Sequence, residues 1–166
     1  MTSQFVPKAL LNVRPLLMRT FQLGMPSVYA TKKCLYFDPD GIGARTMGVP
    51  VLSSLRGTAE CVRLECLGQF LRGSGRIRGC KVGVTRNSRR YFYMVYTKHW
   101  KTQVNSSIME ESGNRESWNG PLVVMRLDAV SATRLVSITS KSHREVAIQA
   151  VAKCVFLLVL RVPHLK

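Results

Sequence analysis

The segment Arg72-Gly-Ser-Gly-Arg76-Ile-Arg78-Gly79 sets three guanidinium groups among three glycines within eight residues. Backbone N–H groups freed by glycine, together with guanidinium forks, suit a phosphate. The segment lacks the Lys-Ser/Thr ending of a P-loop and the spacing of a dinucleotide fingerprint. It also reads as a helix stop followed by a turn into a strand. The cationic character continues along the chain: Lys81, Arg86, Arg89, Arg90, Lys98 and Lys101 follow, and no Asp or Glu occurs between Glu65 and Glu110. The same window holds Tyr91, Phe92, Tyr93, Tyr96 and Trp100. Cations interleaved with flat rings suit a polyanion that also offers surfaces to stack on, which points to nucleic acid. On a strand Tyr91 and Tyr93 share one face and Phe92, Met94 and Tyr96 the other, so at most one set is open to stacking. Trp100, between Lys98 and Lys101, is the better surface ring. The expected nucleic-acid contacts are Arg72, Arg76, Arg78, Arg86, Arg89, Arg90, Lys98, Trp100 and Lys101.

Other chemistries find no pattern. The cysteines, Cys34, Cys61, Cys66, Cys80 and Cys154, number five and contain no C-x-x-C. They read as buried thiols of a reducing compartment rather than a zinc or redox motif. His99, His143 and His164 have no acid–base partner in sequence beyond Glu145 beside His143, which reads as surface. Asp38 and Asp40 are explained by turn chemistry, and the sequon Asn105-Ser-Ser107 carries little weight without a signal peptide. No catalytic residue, cofactor site or metal site is expected, and the chain reads as a non-enzymatic binding module.

A formal net charge of +16 and a pI near 10.4 call for an anionic partner: RNA, DNA, an anionic membrane or an acidic protein. No stretch reaches the roughly twenty apolar residues of a membrane span. At 166 residues, 46% of them hydrophobic, the chain can bury a core of its own.

Residues 1–50 read as a basic N-terminal arm and linker, and residues 51–166 as one domain. The arm holds Lys8, Arg14, Arg19, Lys32 and Lys33 with no acid before Asp38, and Leu10, Leu11, Val13, Leu16, Leu17 and Phe21 form an apolar stripe. That pattern resembles a mitochondrial presequence, interrupted by Pro7 and Pro15; it fits a secretory signal less well. The expected location is intracellular. Asp38-Pro39-Asp40-Gly41 marks a turn.

Within the domain, residues 58–71 predict a short helix. Residues 76–85 and 90–99 predict a hairpin whose second arm is a central strand, with Arg86-Asn-Ser-Arg89 as its tip. Ser107 to Glu110 predicts one capped turn, and Glu110, Glu111 and Glu116 are placed to face the basic hairpin. Leu122–Ala129 and Arg134–Ser140 predict a second hairpin. Ser142-His-Arg-Glu145 predicts a capping box that starts the last helix. The apolar run Cys154–Leu160 at that helix's end suggests deep burial or self-association. The expected fold is α+β: an antiparallel sheet of about four strands in two hairpins, with the C-terminal helix and the short helix packed on one face.

From Trp118, the run Trp118-Asn-Gly120-Pro-Leu122-Val-Val-Met-Arg126, then Leu135-Val-Ser-Ile, then Glu145-Val-Ala-Ile-Gln-Ala-Val-Ala, resembles a pattern in uncharacterised fungal proteins, over about residues 118–153. The resemblance implies a strand, a second strand and a helix, and lends no chemistry. Two functions follow as expectations: electrostatic contact with RNA or DNA through the Arg/Lys-rich hairpin, or a protein-interaction scaffold that meets an acidic partner or itself through residues 154–160.

Overall fold

Two left-handed residues set the register of the central hairpin. Asn87 and Ser88 have φ of 50° and 61°, the paired positive values of a type I′ turn, whose twist matches that of the strands it joins. The computed structural model describes residues 28–53, 60–62, 64–73, 75–113, 117–130 and 132–161. Its strands are β1 (Val28–Phe37), β2 (Ala44–Ser53), β3 (Glu60–Val62), β4 (Arg78–Arg86), β5 (Arg89–Thr97), β6 (Leu122–Leu127) and β7 (Leu135–Val136). Its helices are α1 (Leu64–Gly68), α2 (Ser106–Ser112) and α3 (Lys141–Arg161).

One antiparallel sheet runs β3-β2-β1-β6-β5-β4. β1 and β7 share one edge of β6: β1 pairs with Leu122–Val124, and β7 with Arg126–Leu127. Lys33 stitches the junction, its carbonyl accepting from the Ile138 N–H at 2.9 Å and its own N–H donating to Ser137 Oγ at 3.0 Å.

Alternation along the interior strands sorts side chains between two cores. Leu35, Phe37, Val82, Val84, Tyr93, Val95, Leu122 and Val124 meet α3 through Val146, Ala147, Ala150, Val151, Cys154 and Val155, and meet Ile108 of α2. Cys34, Val49, Val51, Met94, Tyr96, Val123, Met125 and Leu127 pack with Leu67, Phe70 and Leu71 on the opposite face. The α+β class is as expected, with two differences. The sheet has seven strands rather than about four, and the short helix lies on the face opposite α3. The expected helix over 58–71 is in fact β3, then α1, then a turn at 69–70. Residues 58, 59 and 63 lie outside the described ones.

The expected domain start near residue 50 is corrected by β1 and β2, ten residues each and both inside the sheet. Cys34, Leu35 and Phe37 are fully buried, so β1 is covered on both faces and lacks the alternation of a half-buried strand. In β2 the misleading residues were Gly48 and Pro50. β3 pairs with Val51–Ser53, and among the described residues no strand pairs with the outer edge of β2 at Pro50, where a strand tolerates a missing N–H. The turn at Asp38–Gly41 is as read: Asp38 accepts from Gly41 N at 3.1 Å through its carbonyl and from Asp40 N at 3.2 Å through Oδ1. The presequence-like stripe from Leu10 to Phe21 lies outside the described residues.

Both longer helices cap differently from the sequence expectation. Ser140, not Ser142, starts α3. Its Oγ accepts from His143 N at 3.1 Å and its carbonyl from Arg144 N at 3.0 Å. Glu145 is thereby left to pair with Arg86 at 2.8 Å. At α2 the cap is Asn105, whose side chain accepts from Ile108 N at 3.2 Å. Its Nδ2 donates to Phe37 O at 3.0 Å and Gly120 O at 2.9 Å. One fully buried amide therefore joins the end of β1, the start of α2 and the turn before β6, and every polar atom of the side chain is satisfied. Buried in this way, the sequon asparagine is closed to glycosylation in the folded chain. The Ser107 hydroxyl reaches the carbonyls of Asp38 at 2.8 Å and Gly41 at 2.7 Å, tying α2 to the first turn.

The run at the end of α3 divides. Cys154 and Val155 are fully buried in the core, and Phe156 is 49% exposed. The side chains of 158–160 lie outside the described residues. Self-association through residues 154–160 as one surface is corrected to that extent, because its first two members already face the sheet. Among the described residues no helix is long and apolar enough to cross a membrane.

Candidate nucleic-acid interface

The expected contact residues fall at two ends of the β4–β5 hairpin. Arg78 pairs with Thr97 at the open end, and Arg86 with Arg89 at the tip. Eight residue steps separate Arg78 from Arg86, about 26 Å at the rise of a strand.

At the open end two loops converge on Trp100. Its Nε1 donates to the Arg72 carbonyl at 2.8 Å, and its ring lies against Gly73, where an added Cβ would sit 2.8 Å from Nε1. Gly73 and Gly75 have φ of 98° and 118°, values that favour glycine. At Gly73 this conformation lets the backbone pass close against the ring. The far side of this end is fixed by Gly120, with φ of 99°. The Gly120 N–H donates to Gln103 O at 3.0 Å, and Trp100 N donates to Asn119 O at 3.2 Å. Arg72, Arg76, Arg78 and Lys101 are exposed here, and Lys98 and Trp100 half-buried. Arg72 Nε donates to the Gln69 carbonyl at 3.3 Å. No ion pair joins Arg72, Arg78, Lys98 or Lys101 to a carboxylate among the described residues. The nearby acids are otherwise engaged: Asp38 with Arg45 at 3.6 Å, and Asp40 with the Gln103 amide.

At the tip Arg89 and Arg90 are exposed, and Arg86 is held by Glu145. The Arg90 guanidinium carbon lies 5.0 Å from the centre of the Phe92 ring, and Lys81 Nζ lies 5.2 Å from it. The Lys81 ammonium also donates to the Ala132 carbonyl at 3.3 Å. Lys81 belongs to the basic run but was not among the expected contacts. Only its alternation with Gly79 and Gly83 on the face of Phe92 could have placed it there.

Neither aromatic set on β5 is a stacking platform. Tyr93, Met94 and Tyr96 are buried in the two cores, Phe92 carries its own cations, and Tyr91 lies 5.9 Å from the Arg126 guanidinium. Burial pushes the Tyr93 phenol up to about 12. Cross-strand, the Tyr96 ring covers Gly79 and the Phe92 ring covers Gly83. The rings fill the side-chain space that two glycines leave on edge strand β4, so they serve the sheet.

Glu111 does not face the hairpin as expected. Glu111 bonds Arg144 and accepts from Ala44 N at 3.0 Å, which joins α2, α3 and β2. Glu110 is exposed, and Glu116 lies outside the described residues. Two histidines are held toward the neutral form. Burial and then the Arg126 charge lower the pKa of His143, and burial and then Arg78 lower that of His99. Arg126 Nη1 lies 2.8 Å from Nε2 of His143, so a neutral imidazole can accept there and an imidazolium would place two cations in contact. His99 stands edge-on to Trp118, their ring centres 5.3 Å apart. No group of three or more His, Cys, Asp or Glu could hold a metal among the described residues. The chain matches no protein-family model, no curated protein and no solved structure.

Proposed function

We propose that this chain is a small non-catalytic binding module that contacts nucleic acid through charge, with its principal contacts at the open end of the β4–β5 hairpin. The observation that carries this reading is that Arg72, Arg78, Lys98 and Lys101 lie on the chain segments that meet at the Trp100 end of the hairpin, without carboxylate partners among the described residues. Arg76 stands on the same loop. The tip cations Arg89 and Arg90 lie about 26 Å away, the length of roughly eight base-pair steps, and form a second, weaker contact point. The covered aromatics of β5 favour recognition of backbone phosphate over base stacking, so affinity depends little on base identity. The charge excess of +16 supports a polyanionic partner over a neutral one.

The test is fluorescence anisotropy with labelled oligonucleotides of two unrelated sequences at low salt. The reading expects similar affinities for both, and a loss of at least tenfold when Arg72, Arg78, Lys98 and Lys101 are all changed to Gln. Equal binding by that variant, or binding to one sequence alone, refutes it. The acidic-protein partner is the other outcome the charge allows. It predicts no oligonucleotide binding at any salt concentration.

A further inference from the structure

Two thiols on different elements meet between the edge strand and the long helix. Cys80 lies on β4, half exposed, on the face that α3 covers. Cys154 lies on α3 and is fully buried in the same core. Neither is in a disulfide; Cys80 packs against the core cluster that contains Cys154, and Cys80 is the neighbour that most raises the Cys154 pKa. The helix is held along the strand by two further contacts: Arg86 to Glu145 at 2.8 Å, and Lys153 Nζ to the Gly83 carbonyl at 2.8 Å. Both contacts hold α3 against β4, the two elements that carry the thiols.

We infer that Cys80 and Cys154 are a site of reversible oxidative modification, at which a small-molecule disulfide such as oxidised glutathione converts the thiol pair into an intramolecular bond between β4 and α3. The inference is independent of the nucleic-acid reading. Cys80 is the less buried of the two thiols, so its thiolate attacks one sulfur of oxidised glutathione. The glutathione S–S bond breaks, a Cys80–glutathione mixed disulfide forms, and one glutathione thiolate leaves. Cys154 then attacks the Cys80 sulfur and expels the second glutathione, which takes up the Cys154 proton. Two protein thiols and one glutathione disulfide become one protein disulfide and two glutathione thiols, so atoms and electrons balance. The Cys80 thiol and then burial raise the Cys154 pKa; burial persists in the mixed disulfide, so the second step is slow at neutral pH and accelerates as pH rises. Cys34 does not compete: it is fully buried, and its thiol is pushed up to about 12 by burial. Cys66 lies on the short helix, which packs through Leu67 on the opposite face of the sheet.

The test incubates the reduced, folded wild-type chain with oxidised glutathione, quenches with acid, alkylates and maps the digested peptides by mass spectrometry. The expected result is a Cys80–Cys154 linked peptide carrying no glutathione, a loss of two titratable thiols, and reversal by dithiothreitol. Cys154→Ser is expected to hold glutathione on Cys80. The inference is overturned if wild-type Cys80 ends as the mixed disulfide with Cys154 free, if both stay reduced, if either links to another cysteine, or if Cys154→Ser leaves Cys80 unmodified.

Discussion

Replacing Gly120 with Ala should disrupt the open end of the hairpin more than any other glycine-to-alanine change near it. Gly120 has φ of 99°, and an L-residue in left-handed backbone costs about 1–2 kcal/mol. An added Cβ would collide with the Lys98 carbonyl oxygen and lie 3.0 Å from the Trp100 backbone nitrogen. Backbone cannot swing aside as a side chain can, and such overpacking adds about 1–3 kcal/mol. The sum is a loss of about 2–5 kcal/mol. Two other glycines calibrate it. Gly113, with φ of 58°, has nothing within 4 Å of its added Cβ, so Gly113→Ala carries only the backbone term, about 1 kcal/mol. Gly68, at the end of α1, also meets nothing within 4 Å and has no positive φ, so Gly68→Ala should stabilise by about 0.5 kcal/mol. Urea denaturation of the three variants at one pH measures all of these. An equal loss at Gly120 and Gly113, or a Gly120 variant of wild-type stability, refutes the close approach of residues 98–100 to residue 120 on which the candidate interface depends.

Asn105→Asp replaces an amide donor with a carboxylate facing the carbonyls of Phe37 and Gly120; a loss of about 3 kcal/mol or more is expected by denaturant unfolding, and near-wild-type stability contradicts the network. His143 and His99 have pKa values below the ordinary 6.5 in the folded chain. Below about pH 6.5 the unfolded chain therefore binds protons that the folded chain resists. Stability should be full above that pH and fall as pH drops toward 5. Thermal melts across that range should show the slope, and His143→Gln should flatten it; an unchanged slope in that variant contradicts the Arg126 contact.

The parts of the fold legible in the sequence were those with a local code. The β4–β5 hairpin was written in an alternating valine arm, a β-rich aromatic arm and four polar residues between them. The first turn was written in Asp38-Pro-Asp-Gly41. β1 and β2 were not legible, because a strand covered on both faces has no alternation, and Gly48 and Pro50 look like a loop until an open strand edge is known. The capping box at Ser142 was a true pattern two residues out of place. Ser140 is an equally good cap, and the sequence could not show that Glu145 was needed by Arg86. Of the candidate interface, the residue types were legible and their grouping was not. The division into an open end and a tip follows from the hairpin register, and the gathering around Trp100 follows from glycine conformations and a turn at residue 120 that bring together chain segments far apart in sequence.

The most direct test of the binding account is the salt dependence of oligonucleotide affinity. Four phosphate contacts at Arg72, Arg78, Lys98 and Lys101 predict a log–log slope of about −3 for a single strand, so a fourfold rise in salt weakens binding about fifty-fold. Engagement of Arg89 and Arg90 as well steepens the slope to about −4. Affinity that is undetectable at low salt, or that stays constant as salt rises, contradicts the account.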